Sequence, residues 1–202
     1  VIVGTNAPNA GNRAIEMTLA YIQARGGSKR FPRKALALWN GKPMVADAIE
    51  KAKATGLFDY IAVSSDDPEI LQIAVDYGVL PLWRSAAASS DTATDDDVAN
   101  EVLRYFKDVY WVCKLYPCIP LITAQDIYET YWPTYVKPYN GHLLTDNNLK
   151  DAGACYFFTM KRYQELGTIA LDRFPWKCIA TNNACDINTP EDLEIAKMKA
   201  GK

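Results

Sequence analysis

Five cationic side chains fall within ten residues of this chain: Arg25, Lys29, Arg30, Arg33 and Lys34, with Gly26 and Gly27 among them. That composition suits an anion. Lacking a Cβ, paired glycines let backbone N–H groups turn toward an oxyanion, and cations on the same loop can hold its other oxygens. The spacing is neither Gly-x4-Gly-Lys-Ser/Thr nor Gly-x-Gly-x-x-Gly, so the loop is not one of the familiar phosphate fingerprints. A basic surface loop or a nucleic-acid patch is the competing reading of such a run. Whole-chain charge weighs against the latter. The 202 residues carry 22 Lys+Arg and 24 Asp+Glu, a net charge of −2, and the pI is about 5.5. A nucleic-acid binder usually presents a basic face and a high pI. A local anion pocket, with no nucleic acid as partner, is the expectation.

The elements that must position this loop alternate along the chain. Apolar, β-prone runs predict strands over residues 19–23, 60–64, 79–83, 109–115, 154–159 and 177–181. Helical spacing predicts helices over 44–54, 69–77, 97–106, 124–131 and 161–166, and a last one ending at 199. Asp67-Pro68-Glu69 and Thr189-Pro190-Glu191-Asp192 read as helix starts, while Gly56 and Gly78 read as stops. The stretch from 132 to 150, rich in Tyr, Pro and Asn, reads as irregular. Repeated strand–helix units imply an α/β fold, a mainly parallel sheet covered on both faces. Ligands of such sheets lie beyond the carboxyl ends of the strands. The loop 25–34, the turn 64–67 and the turn 116–120 all fall there.

With 49% hydrophobic and 23% charged residues, the chain reads as one soluble globular domain over 17–202. Residues 1–16 lack the basic start and apolar centre of a signal peptide and fit no element, though Val1–Val3 could add a strand. No apolar run approaches the ~20 residues of a membrane span, so no membrane partner is expected. Five cysteines, odd in number and without a C-x-x-C pair, read mostly as buried free thiols in a reducing, cytoplasmic setting. One His and scattered Cys argue against zinc.

Ordered blocks carry a resemblance to a known family. Residues 23–34, Gln-Ala-Arg-Gly-Gly-Ser-Lys-Arg-Phe-Pro-Arg-Lys, resemble the P-A-R-G-G-S-K-R-x-P-x-K-N signature of sugar-acid cytidylyltransferases, the CMP-sialic acid and pseudaminic acid enzymes. Gly41-Lys42-Pro43-Met44 resembles their G-K-P-M, and residues 63–70 resemble V-S-T-D-D-x-E-I. Residues 84–94 have the spacing of R-P-A-x-L-A-S-D-T-A-x, and 116–121 resemble Y-A-T-A-P-F or Q-P-T-S-P-L. Asp151-Ala152-Gly153 and residues 185–192 resemble D-A-G and Q-D-I-D-T-P-E-D.

The resemblance implies a Rossmann-like three-layer sandwich of the nucleotide-diphospho-sugar transferase type. It implies transfer of CMP from CTP to an acidic sugar, such as a nonulosonic acid, with release of pyrophosphate. Arg25, Lys29 and Lys34 are then expected to hold the triphosphate as catalytic residues, with Ala24, Gly26, Gly27 and Ser28 beside them. Arg84, Ser90, Asp91, Thr92, Ala93 and Tyr116 are expected to bind the nucleotide. Asp186 and Asn188 are expected to hold Mg²⁺, or Mn²⁺. Departures accompany the match: Gln23 replaces Pro, Ala35 replaces Asn, Asn188 replaces Asp, and Tyr116 stands where sialic acid enzymes have Gln. The 128–149 segment is also shorter than the family's insert for sugar contacts and dimerisation, which leaves a homodimer open. A non-catalytic relative that binds nucleotide or partners is the alternative reading.

Overall fold

The computed structural model describes residues 16–131, 141–148, 150–170, 172 and 177–201. Residues 1–15 and 132–140 lie outside it, and with them all but Glu16 of the expected extension and the first part of the expected irregular stretch.

The central strand β1 (Met17–Gln23) leads into the cationic loop, and a 3-10 turn (Lys34–Leu36) ends that loop. A two-stranded hairpin, β2 (Leu38–Trp39) and β3 (Lys42–Pro43), precedes α1 (Met44–Ala54). Then come β4 (Tyr60–Ser65), α2 (Pro68–Asp76), β5 (Leu80–Trp83), α3 (Ala86–Ser89), α4 (Asp95–Leu103) and β6 (Val109–Leu115). The second half holds α5 (Ala124–Tyr131), β7 (Gly141–Thr145), β8 (Asp151–Thr159), α6 (Met160–Leu166), β9 (Lys177–Ala180) and α7 (Pro190–Lys199).

Seven strands form one sheet in the order β5-β4-β1-β6-β8-β7-β9. β1 pairs in parallel with β4 on one side and β6 on the other, placing Ile22 between Val63 and Leu115. β8 alone runs against its neighbours β6 and β7. The sheet is therefore mainly parallel, as expected, and its reversed strand starts at the edge where the other strands end. Strand β7 lies inside the stretch expected to be irregular, a correction. Gly141-His142-Leu143-Leu144-Thr145 is wholly buried between β8 and β9, and such a run lacks the alternation that marks a half-exposed strand.

Both sheet faces are covered, so β1 is apolar on both. Ala20 and Ile22 pack with Val45 and Ile49 of α1 and Ile70 of α2. Leu19 and Tyr21 pack on the other face with Val98 and Val102 of α4 and Tyr163 of α6. Burying one such aliphatic side chain is worth about 1.5–3 kcal/mol. Local chemistry sets the helix starts. The Asp67 carboxylate accepts from Glu69 N at 2.9 Å, with Pro68 in the first turn. Thr94 and Asp97 form a reciprocal capping box, and so do Thr189 and Asp192. The first box moves the start of α4 to Asp95, ahead of the expected residue 97.

Candidate functional site

At the carboxyl ends of β5, β4, β1 and β6 lies a cavity of about 670 Å³, open to solvent. The cationic loop forms one side through Arg25, Ser28, Lys29, Arg30 and Lys34, with Ala24 and Ala35 at its base. Arg84 enters from the end of β5, Lys114 from β6, and Tyr116, Pro117 and Cys118 from the turn after β6. Asp151, Gly153 and Tyr156 come from β8, Asp186 and Asn188 from the turn before α7.

The loop is held from several directions. Ala24 N donates to Ser64 O at 3.0 Å, continuing the β1–β4 ladder. Gly26 N donates to the Asp66 carboxylate at 2.9 Å, so this N–H is already satisfied within the protein. A Cβ on Gly26 would lie 2.9 Å from Asp67 Cβ, whereas one on Gly27 would meet nothing within 4 Å. Gly26 permits a close approach to Asp67, and Gly27 is exposed with open space around it. Arg33 takes a left-handed conformation, φ 55°, and turns outward to Asp67 and Glu69. It is the one cation of the five that does not face the cavity.

The remaining cations differ in their partners. Arg25 and Lys29 both reach Asp91, at 3.3 Å and 2.5 Å. The Lys29 hydrogen bond, followed by the charges of Lys29 and Arg25, holds the Asp91 carboxyl below its usual range. Arg30 donates to the side-chain oxygen of Asn188 at 2.9 Å, and Lys34 donates to Ile187 O. Arg84 is only 2% exposed. Its guanidinium donates to Ser64 Oγ at 3.0 Å and Ser64 O at 2.6 Å. Burial pulls the Arg84 pKa down, opposed chiefly by the charge of Asp66. Among the described residues, no carboxylate lies within 4.0 Å of the charged nitrogens of Arg30, Lys34 or Arg84. Three cations without an anion converge on one cavity.

The same cavity holds a buried pair the sequence reading missed, Lys114 and Asp95, beside Tyr116, which it named. Lys114, 1% exposed, donates to Asp95 Oδ2 at 2.6 Å. Asp95 Oδ1 accepts from Tyr116 OH at 2.5 Å and Gln23 Nε2 at 3.0 Å. Burial alone would raise the Asp95 carboxyl, but Lys114, Tyr116 and Gln23 hold it below its usual range. Burial pulls Lys114 downward against the pull of Asp95. Three donors on the Asp95 carboxylate favour its charged form. Burial, then Asp95, pushes the Tyr116 hydroxyl well above its ordinary value. The signal was a lysine within the apolar run Val109–Leu115, where an unpaired charge is rarely buried.

Residues 90–93 lie between the main cavity and a second depression. Ser90, Thr92 and Ala93 border a second, shallower depression with Asn100 of α4 and Arg104 just after it. Asp91 reaches both Arg25 and Lys29, and Ser90 O accepts from Arg25 at 3.2 Å. Asp186 and Asn188 do come together: Asn188 Nδ2 donates to Asp186 Oδ2 at 2.6 Å. The Asn188 oxygen points to Arg30, so the amide bridges cation and carboxylate instead of adding its oxygen to that of Asp186. No group of three or more His, Cys, Asp or Glu suited to a metal occurs among the described residues. Cys113, Cys118 and Cys155 are buried free thiols, Cys178 is exposed and Cys185 half-buried. No helix among the described residues is long and apolar enough to cross a membrane.

Comparison with known proteins gives this arrangement a family. The family model for cytidylyltransferases matches residues 19–152. The chain is 33% identical to the pseudaminic acid cytidylyltransferase of Campylobacter jejuni, over 89% of this chain and 94% of that one. It is 42% identical over 86 residues to the CMP-N,N'-diacetyllegionaminic acid synthase of Legionella pneumophila, 42% of this chain and 36% of that one. Among solved structures, CMP:2-keto-3-deoxy-manno-octonic acid synthetase complexed with CTP superposes with a TM-score of 0.73 at 18% identity. That superposition covers 92% of this chain and 99% of that one, and shows a shared fold. The chain belongs to the sugar-acid cytidylyltransferase family.

Proposed function

We propose that this protein transfers CMP from CTP to a nonulosonic acid and releases pyrophosphate. The convergence of Arg30, Lys34 and Arg84, cations without a carboxylate partner, on the cavity at the strand ends carries this reading. Two further cations, Arg25 and Lys29, stand ready beside Asp91. In the reaction the anomeric hydroxyl oxygen bonds to the α-phosphorus, the bond to the bridging oxygen of pyrophosphate breaks, and the hydroxyl proton passes to solvent. Such transfers depend on positioning and charge neutralisation. Arg25, Lys29 and Lys34 neutralise the β- and γ-phosphates. Arg84, fixed by Ser64, presents its guanidinium to the base.

The donor chemistry fits a hard divalent ion at Asp186, an exposed carboxylate beside the loop cations. Mg²⁺ commonly uses one or two carboxylates, substrate phosphates and water. When bound, it neutralises charge on the reacting phosphate and the departing pyrophosphate. Asn188 positions Asp186 rather than sharing the ion.

The test is pyrophosphate release from CTP with Mg²⁺ and a panel of nonulosonic acids. Turnover with at least one of them is expected; none with any, at any Mg²⁺ concentration, overturns the reading. That result would favour the second reading, a nucleotide-binding relative without turnover, which rests on the single carboxylate at 186–188. Association as a homodimer and a cytoplasmic location go with the first reading. Five free cysteines support a reducing setting.

A further inference from the structure

Another part of the same cavity's lining is built on a different principle. Asp95 and Asp151 supply two carboxylates and Lys114 one ammonium, which leaves this wall one net negative charge. Asp151 Oδ1 accepts from Gly153 N at 2.9 Å, and Oδ2 accepts from Tyr156 OH at 2.5 Å. An ionised carboxylate has about four lone-pair positions, so Asp151, half-buried at the start of the reversed strand, retains acceptor capacity toward the cavity. The Lys114 ammonium lies 3.8 Å from the centre of the Tyr156 ring and 4.9 Å from that of Tyr116. These two rings meet edge to face at 6.1 Å. Lys114 is enclosed by Asp95 and two rings, and so acts on them and not on a ligand.

Resting on the reading that the acceptor is an acidic sugar, we propose that this wall takes the sugar's uncharged, hydroxyl- and acylamido-bearing end. Asp151 is the contact and Lys114 a positioning residue. The charge pattern sets the orientation. Triphosphate and sugar carboxylate are both anions, repelled by a net negative wall and attracted to the cavity's cations that no carboxylate neutralises. Hydroxyl O–H and amide N–H groups are donors, and carboxylate oxygens are what receives them. Tyr116 and Tyr156 add apolar surface against which the C–H face of a sugar ring can pack. Lys114 fixes the wall from behind: it neutralises Asp95 and lies over Tyr156, the residue that in turn anchors Asp151.

The experiment uses the full chain and its Asp151→Asn and Lys114→Met variants. Pyrophosphate release is measured against acceptor concentration, and CTP affinity is measured separately by calorimetry. Both variants should raise acceptor KM at least about tenfold while CTP Kd stays within about twofold, a split that general damage to the fold does not produce. The Asp151→Asn penalty should vanish for an acceptor analogue lacking the contacted hydroxyl or acylamido group. It should persist for an analogue whose carboxylate is amidated. Lys114→Arg should restore most of the loss in Lys114→Met. If Lys114→Met fails to fold, Asp151→Asn decides alone. A wild type that turns over while Asp151→Asn leaves acceptor KM unchanged overturns this inference only, as does equal weakening of CTP and acceptor. A wild type with neither turnover nor sugar binding in saturation-transfer NMR overturns the parent reading and this inference with it.

Discussion

Lys29 and Asp91 form an ion pair at 2.5 Å that ties the cationic loop after β1 to the loop between α3 and α4. Arg25 joins the same carboxylate. A nucleotide phosphate must therefore exchange with Asp91 for these two cations. A charge-assisted hydrogen bond to phosphate is worth roughly 1.5–3 kcal/mol, and an exposed ion pair well under that. Lys29→Ala should weaken CTP at least about tenfold with the fold intact. Calorimetry checks this, and unchanged affinity removes Lys29 from the site.

Base choice should follow Arg84, because phosphate contacts are blind to the base. At equal concentration CTP should raise the melting temperature more than UTP, ATP or GTP. Equal shifts for all four nucleotides would count against reading of the base at this end of the cavity.

The two glycines should respond differently. Gly26→Ala forces a Cβ to 2.9 Å from the side chain of Asp67, the cap of α2. Overpacking of this kind costs about 1–3 kcal/mol. Gly27→Ala, with nothing within 4 Å, should stay within about 0.5 kcal/mol of wild type. Urea unfolding of both variants decides, and equal losses would refute the asymmetry.

Asn188→Asp should lower the Mg²⁺ concentration for half-maximal turnover, since it places a second carboxylate beside Asp186. Asp186→Ala should abolish turnover. If the alanine variant is as active as wild type, the ion is held elsewhere.

Acid should weaken the fold through Asp95 and Asp126. For both, burial opposes ionisation but is outweighed, by Lys114, Tyr116 and Gln23 at Asp95 and by Thr181, Thr123 and Asn183 at Asp126. Their folded pKa values lie below the unfolded value of about 3.9. The stability they contribute is thus complete above that pH and is lost as pH falls through the folded values. The pH dependence of unfolding below about 4 should therefore be shallower in Asp126→Asn than in wild type. An identical slope would show that Asp126 is not one of the groups responsible.

Many elements were legible because they announce themselves locally. Strand β6 and helices α1 and α5 match their predicted bounds, and Asp67 and Thr189 cap the helices they were expected to cap. The second half was less legible. A run buried on both sides, such as Gly141–Thr145, has no period to read. The reversal of β8 depends on its pairing partners and not on its composition. At the site, the loop cations were readable from spacing, whereas the Asp95–Lys114 pair was not. Asp95 and Lys114 are 19 residues apart, and only the packing of α4 on the sheet brings them together.

The place of β1 in the sheet also bears on how the site comes into being. β1 precedes its neighbours: Ile22 awaits Val63 on one side and Leu115 on the other. A chain made from its N-terminus at about 5–20 residues per second exposes this apolar strand for seconds before either flank exists. Pairings of such sequence separation form slowly. The cationic loop and the wall of Asp95, Lys114 and Asp151 are thus assembled only after β6 is made and, for Asp151, after β8. A variant that slows the docking of β6 should accumulate as an aggregate seeded on the bare edges of β1, even when its finished fold is sound.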